Sequence, residues 1–311
     1  MIAHRPVAVL AAALVLLATG CGAGGPTSDH PQIVVTTNIL GDVVGELVGD
    51  AADVTVLMRP NADPHSFEIS AQEAALMAEA DLVVSNGLGL EEGLQQNLDR
   101  AAESGTEQFV AGDHVDVLAY GPEVSETPGA DAGSPDPHFW TDPARMLDVV
   151  DALAPELAGM PGVDPALVDR SVADYRERLE DLDTAMTTSF ASIPDEGRDL
   201  VTNHHVFGYL AERFDFSVVG AVIPGGTTLA SPSASDLDGL ASAVREAGVP
   251  TIFAESSSPD RLVQVLADEA GVDVDVVPLF TESLTAADGD APTYLQMQRV
   301  DTRRITQGLA P

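Results

Sequence analysis

Short β-branched runs alternate with helical patterns in two blocks of this chain, one on each side of a single long helical stretch. In the first block Ile33-Val34-Val35 reads as a buried strand, followed by Ile39, Leu40, Val43, Val44, Leu47 and Val48 at helical spacing. Val54-Thr55-Val56-Leu57 is a second strand and Leu82-Val83-Val84 a third. Between them Ser70-Ala71-Gln72-Glu73 matches a capping box that opens a helix through Ala80. The second block has strands at 200–202, 251–254 and 274–277. Its helices are expected at 206–214, at 236–247 closed by Gly248, and from Pro259 to a stop at Gly271. Such alternation implies parallel βαβ units and an α/β fold.

Between the blocks, Leu167, Val168, Val172, Tyr175, Leu179, Leu182, Met186 and Phe190 keep helical phase, with no Gly or internal Pro from 166 to 193. One helix of that length runs roughly 40 Å at about 1.5 Å per residue. It predicts a stiff spine at 164–193 joining an N-terminal lobe, 32–163, to a C-terminal lobe, 194–311. Two lobes also suit 311 residues, more than one hydrophobic core usually serves. Gly121 to Pro135 is rich in Gly, Pro, Ser and Glu without periodicity, and reads as a mobile surface loop.

The first residues read as a targeting segment. Arg5 precedes an apolar run, Val7 to Ala18, too short for a membrane anchor. Ala18-Thr19-Gly20-Cys21 then resembles the lipobox of bacterial lipoproteins, in which the Cys becomes the lipidated first residue. The expected division is a signal peptide at 1–20 and a lipid-anchored linker at 21–31, placing an exported chain at the cell surface or in the periplasm. Cys21 is the single cysteine, so intrachain disulfides and thiolate metal sites are excluded. With 50 acidic residues against 14 basic ones, all Arg, the net charge of −36 makes nucleic acid a poor partner.

Four of the seven histidines stand in informative contexts. Asp63-Pro64-His65 and Asp136-Pro137-His138 repeat one tripeptide, in which proline stiffens the backbone that presents the imidazole. The Asp of each is a candidate acceptor for a ring N–H. Thr202-Asn203-His204-His205 lies at a strand-to-helix junction, where ligands of open α/β sheets sit. Glu282, in Phe280-Thr281-Glu282-Ser283-Leu284, again follows a strand. A zinc hydrolase would keep an open coordination position and a general base, and no His-Glu-x-x-His is present. Gly87-Leu88-Gly89 with Gly93 misses dinucleotide spacing.

Five segments together resemble one family, the zinc and manganese solute-binding proteins of metal ABC importers. They are Asp-Pro-His-Ser-Phe-Glu from Asp63, Asp-Pro-His-Phe-Trp-Thr-Asp-Pro from Asp136, His204-His205-Val206-Phe207-Gly208-Tyr209, Ile252-Phe253-Ala254-Glu255-Ser256-Ser257, and the Glu282 segment. The resemblance runs from about Ile33 to Leu309. It implies two α/β lobes bridged by one helix, with the metal in the cleft, and a binding protein rather than an enzyme. It further implies ligands His65 and His138 from the first lobe and His204 and Glu282 from the second, with Glu255 as a supporting acid. The family usually carries Asp where Glu282 stands. Zinc members often have a His-rich acidic loop in the first lobe, whereas Gly121 to Pro135 is acidic without histidine. The implied partners are an importer permease and, through lipidated Cys21, the membrane, with the chain itself a monomer. Three imidazoles and one carboxylate suit tetrahedral Zn2+. Manganese, which favours more oxygen, and iron are the alternatives.

Overall fold

The computed structural model describes residues 30–121, 133–223, 225–229, 233–257, 263–264, 266–267 and 274–310. The expected signal peptide, Cys21, most of the linker, the body of the 121–135 loop and most of the helix expected from Pro259 lie outside them. The first lobe runs β1 (Gln32–Val35), α1 (Asn38–Val48), β2 (Asp53–Val56), α2 (Ala71–Glu79), β3 (Leu82–Ser85), α3 (Gln95–Glu103) and β4 (Glu107–Val110). Its sheet has the order β2-β1-β3-β4, with every neighbouring pair parallel. The strands alternate as their pleat requires. Ile33, Val35, Leu82 and Val84 join the main core, while Val34 and Val83 face Met77, Leu94 and Ala101 in a smaller one.

After α4 (Pro143–Gly159) comes α5 (Pro165–Phe190), the expected spine. Asp164 caps it through Ala166 N at 3.0 Å, and Pro165 occupies the first turn. Its 26 residues span about 39 Å. Val168, Tyr175, Leu179, Leu182, Met186 and Phe190 form one buried stripe against α4, α1 and the last helix.

The second lobe runs β5 (Asp199–Thr202), α6 (Gly208–Phe214), β6 (Ser217–Ala221), α7 (Ala234–Ala247), β7 (Thr251–Glu255) and β8 (Asp275–Leu279), and the chain closes with α8 (Tyr294–Leu309). Parallel ladders join β5 to β6 and β7 to β8, and β5 packs beside β7. These strands form two two-stranded sheets, and their neighbour order β6-β5-β7-β8 parallels that of the first lobe's single four-stranded sheet. Pro278 fits in β8 because that strand lies at the edge. α6 begins two residues later than its apolar pattern predicts, because Val206 N turns back to His204 O at 2.9 Å. α7 ends as expected at Gly248, whose φ of 66° is a left-handed cap. The main core is continuous from Ile33 and Val35 through the spine to Phe253, Leu279 and Ile305, so the lobes share apolar packing beneath the cleft.

Candidate metal centre

Both Asp-Pro-His tripeptides fold into the same turn. Asp63 Oδ1 accepts from His65 N at 2.8 Å, and Asp136 Oδ1 accepts from His138 N at 3.0 Å. Each carboxylate thus satisfies the amide two residues on, which fixes where the imidazole leaves the backbone. Beyond that turn the two differ. Asp136 Oδ1 also lies 2.7 Å from His138 Nδ1, which places the proton there and leaves an Nε2 lone pair. The Tyr120 hydroxyl adds a contact of 3.2 Å to Asp136 Oδ1. Asp63 instead accepts from Thr228 Oγ1 at 2.6 Å, leaving His65 Nδ1 buried without a hydrogen bond and 3.9 Å from Glu92.

His204 sits at the carboxyl end of β5. Thr202 Oγ1 donates to His204 O at 2.7 Å, and Glu255 Oε2 lies 3.5 Å from His204 Nδ1, within ion-pair reach but without a hydrogen bond. Asn203 Nδ2 holds the same Glu255 oxygen at 3.2 Å. Glu255 thus lies behind an imidazole, on the side away from the cluster. His205 turns away from the cluster and lines a separate cavity with Tyr120, Phe207 and Glu212.

The four candidate side chains converge. Glu282 Oε1 lies 3.0 Å from His65 Nε2, 3.2 Å from His138 Nε2 and 3.1 Å from His204 Nε2. His138 Nε2 is 3.3 Å from His65 Nε2 and 3.4 Å from His204 Nε2. All four residues are buried, with relative exposures of 2%, 0%, 0% and 1% for His65, His138, His204 and Glu282. Metal–ligand bonds of about 2.0–2.1 Å set tetrahedral edges of about 3.3–3.4 Å, close to these separations. With neutral imidazoles the facing lone pairs would repel at such distances, and a proton or a shared metal cation removes the repulsion.

The electrostatics agree. Burial opposes ionisation of Glu282, but His204, His65 and His138 together hold its carboxyl well below the usual range. Burial likewise disfavours charge on His204, and Glu282 and Glu255 reverse this, raising it well above 6.5. His138 is raised too, because Asp136 and Glu282 outweigh its burial. Burial, and then the Glu282 charge, push Glu255 up to about 7. A buried carboxylate surrounded by imidazoles, whose charge is balanced by protons or by a metal, is a site where the two compete.

Sequence reasoning missed Tyr120, Trp140 and Asn38. Trp140 stands edge-on to the His138 ring, with centroids 5.2 Å apart. Trp140 also reaches Thr281, 141 positions on, Asn38 reaches Ser283, 245 positions on, and Tyr120 reaches Asp136, 16 positions on, so no local pattern announces them.

The profile of ZnuA, described as the periplasmic component A of zinc-uptake complexes, matches residues 33–308. The manganese-binding lipoprotein MntA of Halalkalibacterium halodurans is 25% identical over 304 residues, 96% of each chain. The manganese ABC transporter substrate-binding lipoprotein PsaA of Streptococcus pneumoniae is also 25% identical over 304 residues, again 96% of each chain. The solved periplasmic zinc-binding protein TroA of Treponema pallidum superposes with a TM-score of 0.82 and 27% identity, covering 91% of this chain and 100% of that one. A manganese-bound periplasmic metal-binding protein of Candidatus Liberibacter asiaticus gives a TM-score of 0.77 at 25% identity, covering 90% of this chain and 99% of that one.

Proposed function

The chain belongs to the ZnuA family of periplasmic zinc-uptake components, and from that premise we propose that it captures one zinc ion and delivers it to the permease of its importer. It is a metal-binding receptor of an ABC importer and not an enzyme. The reading of zinc rests on one observation, the convergence of three imidazole Nε2 atoms and one carboxylate oxygen, with five of their six separations at 3.0–3.4 Å and all within 4.8 Å. In this reading His65, His138, His204 and Glu282 are the ligands, and Zn2+ is the cargo. Among the described residues no helix is long and apolar enough to cross a membrane. We assign retention at the membrane to lipidated Cys21, the linker 21–31 to a tether, and the chain to a monomer. The lobes divide at 32–163, 164–193 and 194–311. Native mass spectrometry of protein purified without chelator tests the cargo, with one zinc per chain expected. A chain that carries manganese under those conditions, or two tightly held zinc ions, overturns the assignment.

Manganese is the second reading, favoured by relatives whose names state it, MntA and PsaA.

Proton competition gives the next expected result. His138 and His204 have pKa values raised above 6.5 in the metal-free protein, so they hold protons that zinc must displace. Apparent affinity is therefore highest above those raised values and falls as pH drops through them, starting above pH 6.5. Two displaced protons make the limiting slope about 100-fold per pH unit. Zinc titrations across this range check it, and a flat profile contradicts a histidine-rich site.

The asymmetry between the two tripeptides gives another. Asp136→Asn removes the carboxylate at His138 Nδ1 and is expected to weaken zinc binding by about 10–100-fold. Asp63 touches no ring nitrogen of His65, so Asp63→Asn should cost far less. Equal losses in the two variants, measured by competition titration, would show that the shared turn matters and the ring contact does not.

A further inference from the structure

The loop that carries Glu282 leaves the last strand of the second lobe, where Phe280 N still donates to Asp301. From Thr281 to Leu284, however, its hydrogen-bond partners beyond the loop and the cluster lie in the first lobe. Thr281 O accepts the Trp140 indole N–H at 2.9 Å. Asn38, the first residue of α1, makes two bonds across this join and one within its own lobe. Its Oδ1 accepts from Leu284 N at 2.9 Å, and its Nδ2 donates to Ser283 Oγ at 2.9 Å and to Arg59 O at 3.2 Å. Asn61 N adds a bond to Leu284 O at 2.9 Å. The chain stays on the first lobe beyond the loop. Tyr294 N donates to Asp42 Oδ2 at 2.8 Å, and Tyr294 Oη and Gln298 Nε2 donate to Trp140 O at 2.7 and 2.8 Å. His204, in contrast, is held by Thr202 and Glu255 of its own lobe.

We propose that Asn38 is a positioning residue for the metal, binding the Glu282 loop to the first lobe so that Glu282 moves with His65 and His138. His204 is then the one ligand of the four that the second lobe carries across the cleft. Withdrawing Glu282 with the second lobe would leave the buried Asn38 Oδ1 without its donor, Leu284 N, and the buried Trp140 N–H without its acceptor, Thr281 O. Withdrawing His204 breaks its bond to the metal and leaves its Glu255 support intact. Opening and closing of the cleft are thus coupled to the cargo through His204.

This inference rests on the ligand set proposed above, and the experiment separates the two. Spin labels at Glu103→Cys on α3 and Glu246→Cys on α7, both exposed positions, report the interlobe distance in a Cys21→Ala chain. Zinc at saturation should shift that distance in the otherwise unsubstituted protein and in Glu282→Ala, and leave it unmoved in His204→Ala. Loss of the shift in Glu282→Ala, its survival in His204→Ala, or its absence from the unsubstituted protein overturns the proposal. Asn38→Ala, with folding verified by circular dichroism, should bind zinc about tenfold more weakly, as expected when ligand support is lost. Its Co2+ complex should lose the intense visible bands of a four-coordinate ion, which a purely structural loss would leave unchanged. An unaltered cobalt spectrum and affinity refute the positioning role alone. If the unsubstituted protein fails to bind one zinc, the ligand set itself is refuted.

Discussion

Replacing His204 with Ala is expected to abolish tight zinc binding, while His205→Ala leaves it nearly intact. The two residues are adjacent and chemically equal, so the difference is entirely positional. At the end of β5 successive side chains face opposite ways, and Thr202 Oγ1 fixes the His204 carbonyl at 2.7 Å. This aims His204 Nε2 at Glu282 Oε1, 3.1 Å away, and sends His205 to a cavity beside Tyr120 and Glu212. A four-ligand zinc site binds with about 10–16 kcal/mol, so an average ligand carries roughly 3 kcal/mol, or about two orders of magnitude in Kd. His204→Ala also leaves Glu255 and Glu282 facing the vacated space without the imidazole between them, raising the cost of keeping both ionised. Competition titrations of both variants, with helicity compared by circular dichroism, decide the matter. A crippled His205→Ala beside a normal His204→Ala would place the ligand one residue later.

The spine and the first strands could be read from sequence because their signals are local. Helical phase in α5 is unbroken, and Ile33 to Val35 form an apolar run bounded by polar residues. α8 was harder to read, because Gln298, Asp301 and Thr302 lie on its buried face and interrupt the apolar period. They are there for partners elsewhere: Gln298 binds Trp140 O, and Asp301 Oδ1 accepts from Phe280 N at 3.0 Å. β4 and β6 were missed for a related reason. Glu107-Gln108-Phe109-Val110 has one buried side chain, and β6 carries an extra residue, Val219, beside Gly220 where its register against β5 shifts. At the site, the histidines stood out because each lies in a stiff or junctional context. The join made by Asn38 spans more than 240 residues of sequence, and nothing near position 38 announces it.

Zinc at a given free concentration is expected to raise the melting temperature far more than manganese at the same concentration. Two independent properties of the cluster lead there. Three of the four donors are imidazole nitrogens, and along the first-row series such sites bind zinc above manganese by orders of magnitude. That ranking would hold even in a receptor that transports manganese, so geometry has to carry the rest. Manganese prefers more ligands, most of them oxygen, than a tetrahedral site offers. Within this cluster the further buried oxygen is Glu282 Oε2, which has no hydrogen-bond partner, while Glu255 lies on the far side of the His204 ring. A manganese ion held here would thus be poor in oxygen, whereas zinc is satisfied by the separations already present. At a free zinc concentration 1,000 times Kd, the linkage contributes about 4 kcal/mol of stability, several degrees in melting temperature for a chain of this size. Melting curves in metal buffers of matched free concentration, paired with X-ray absorption of the zinc complex, test both properties together. Four bonds averaging about 2.0–2.1 Å are expected for zinc. Manganese stabilisation equal to that of zinc, or a zinc spectrum with five or six light ligands, would assign this receptor to manganese.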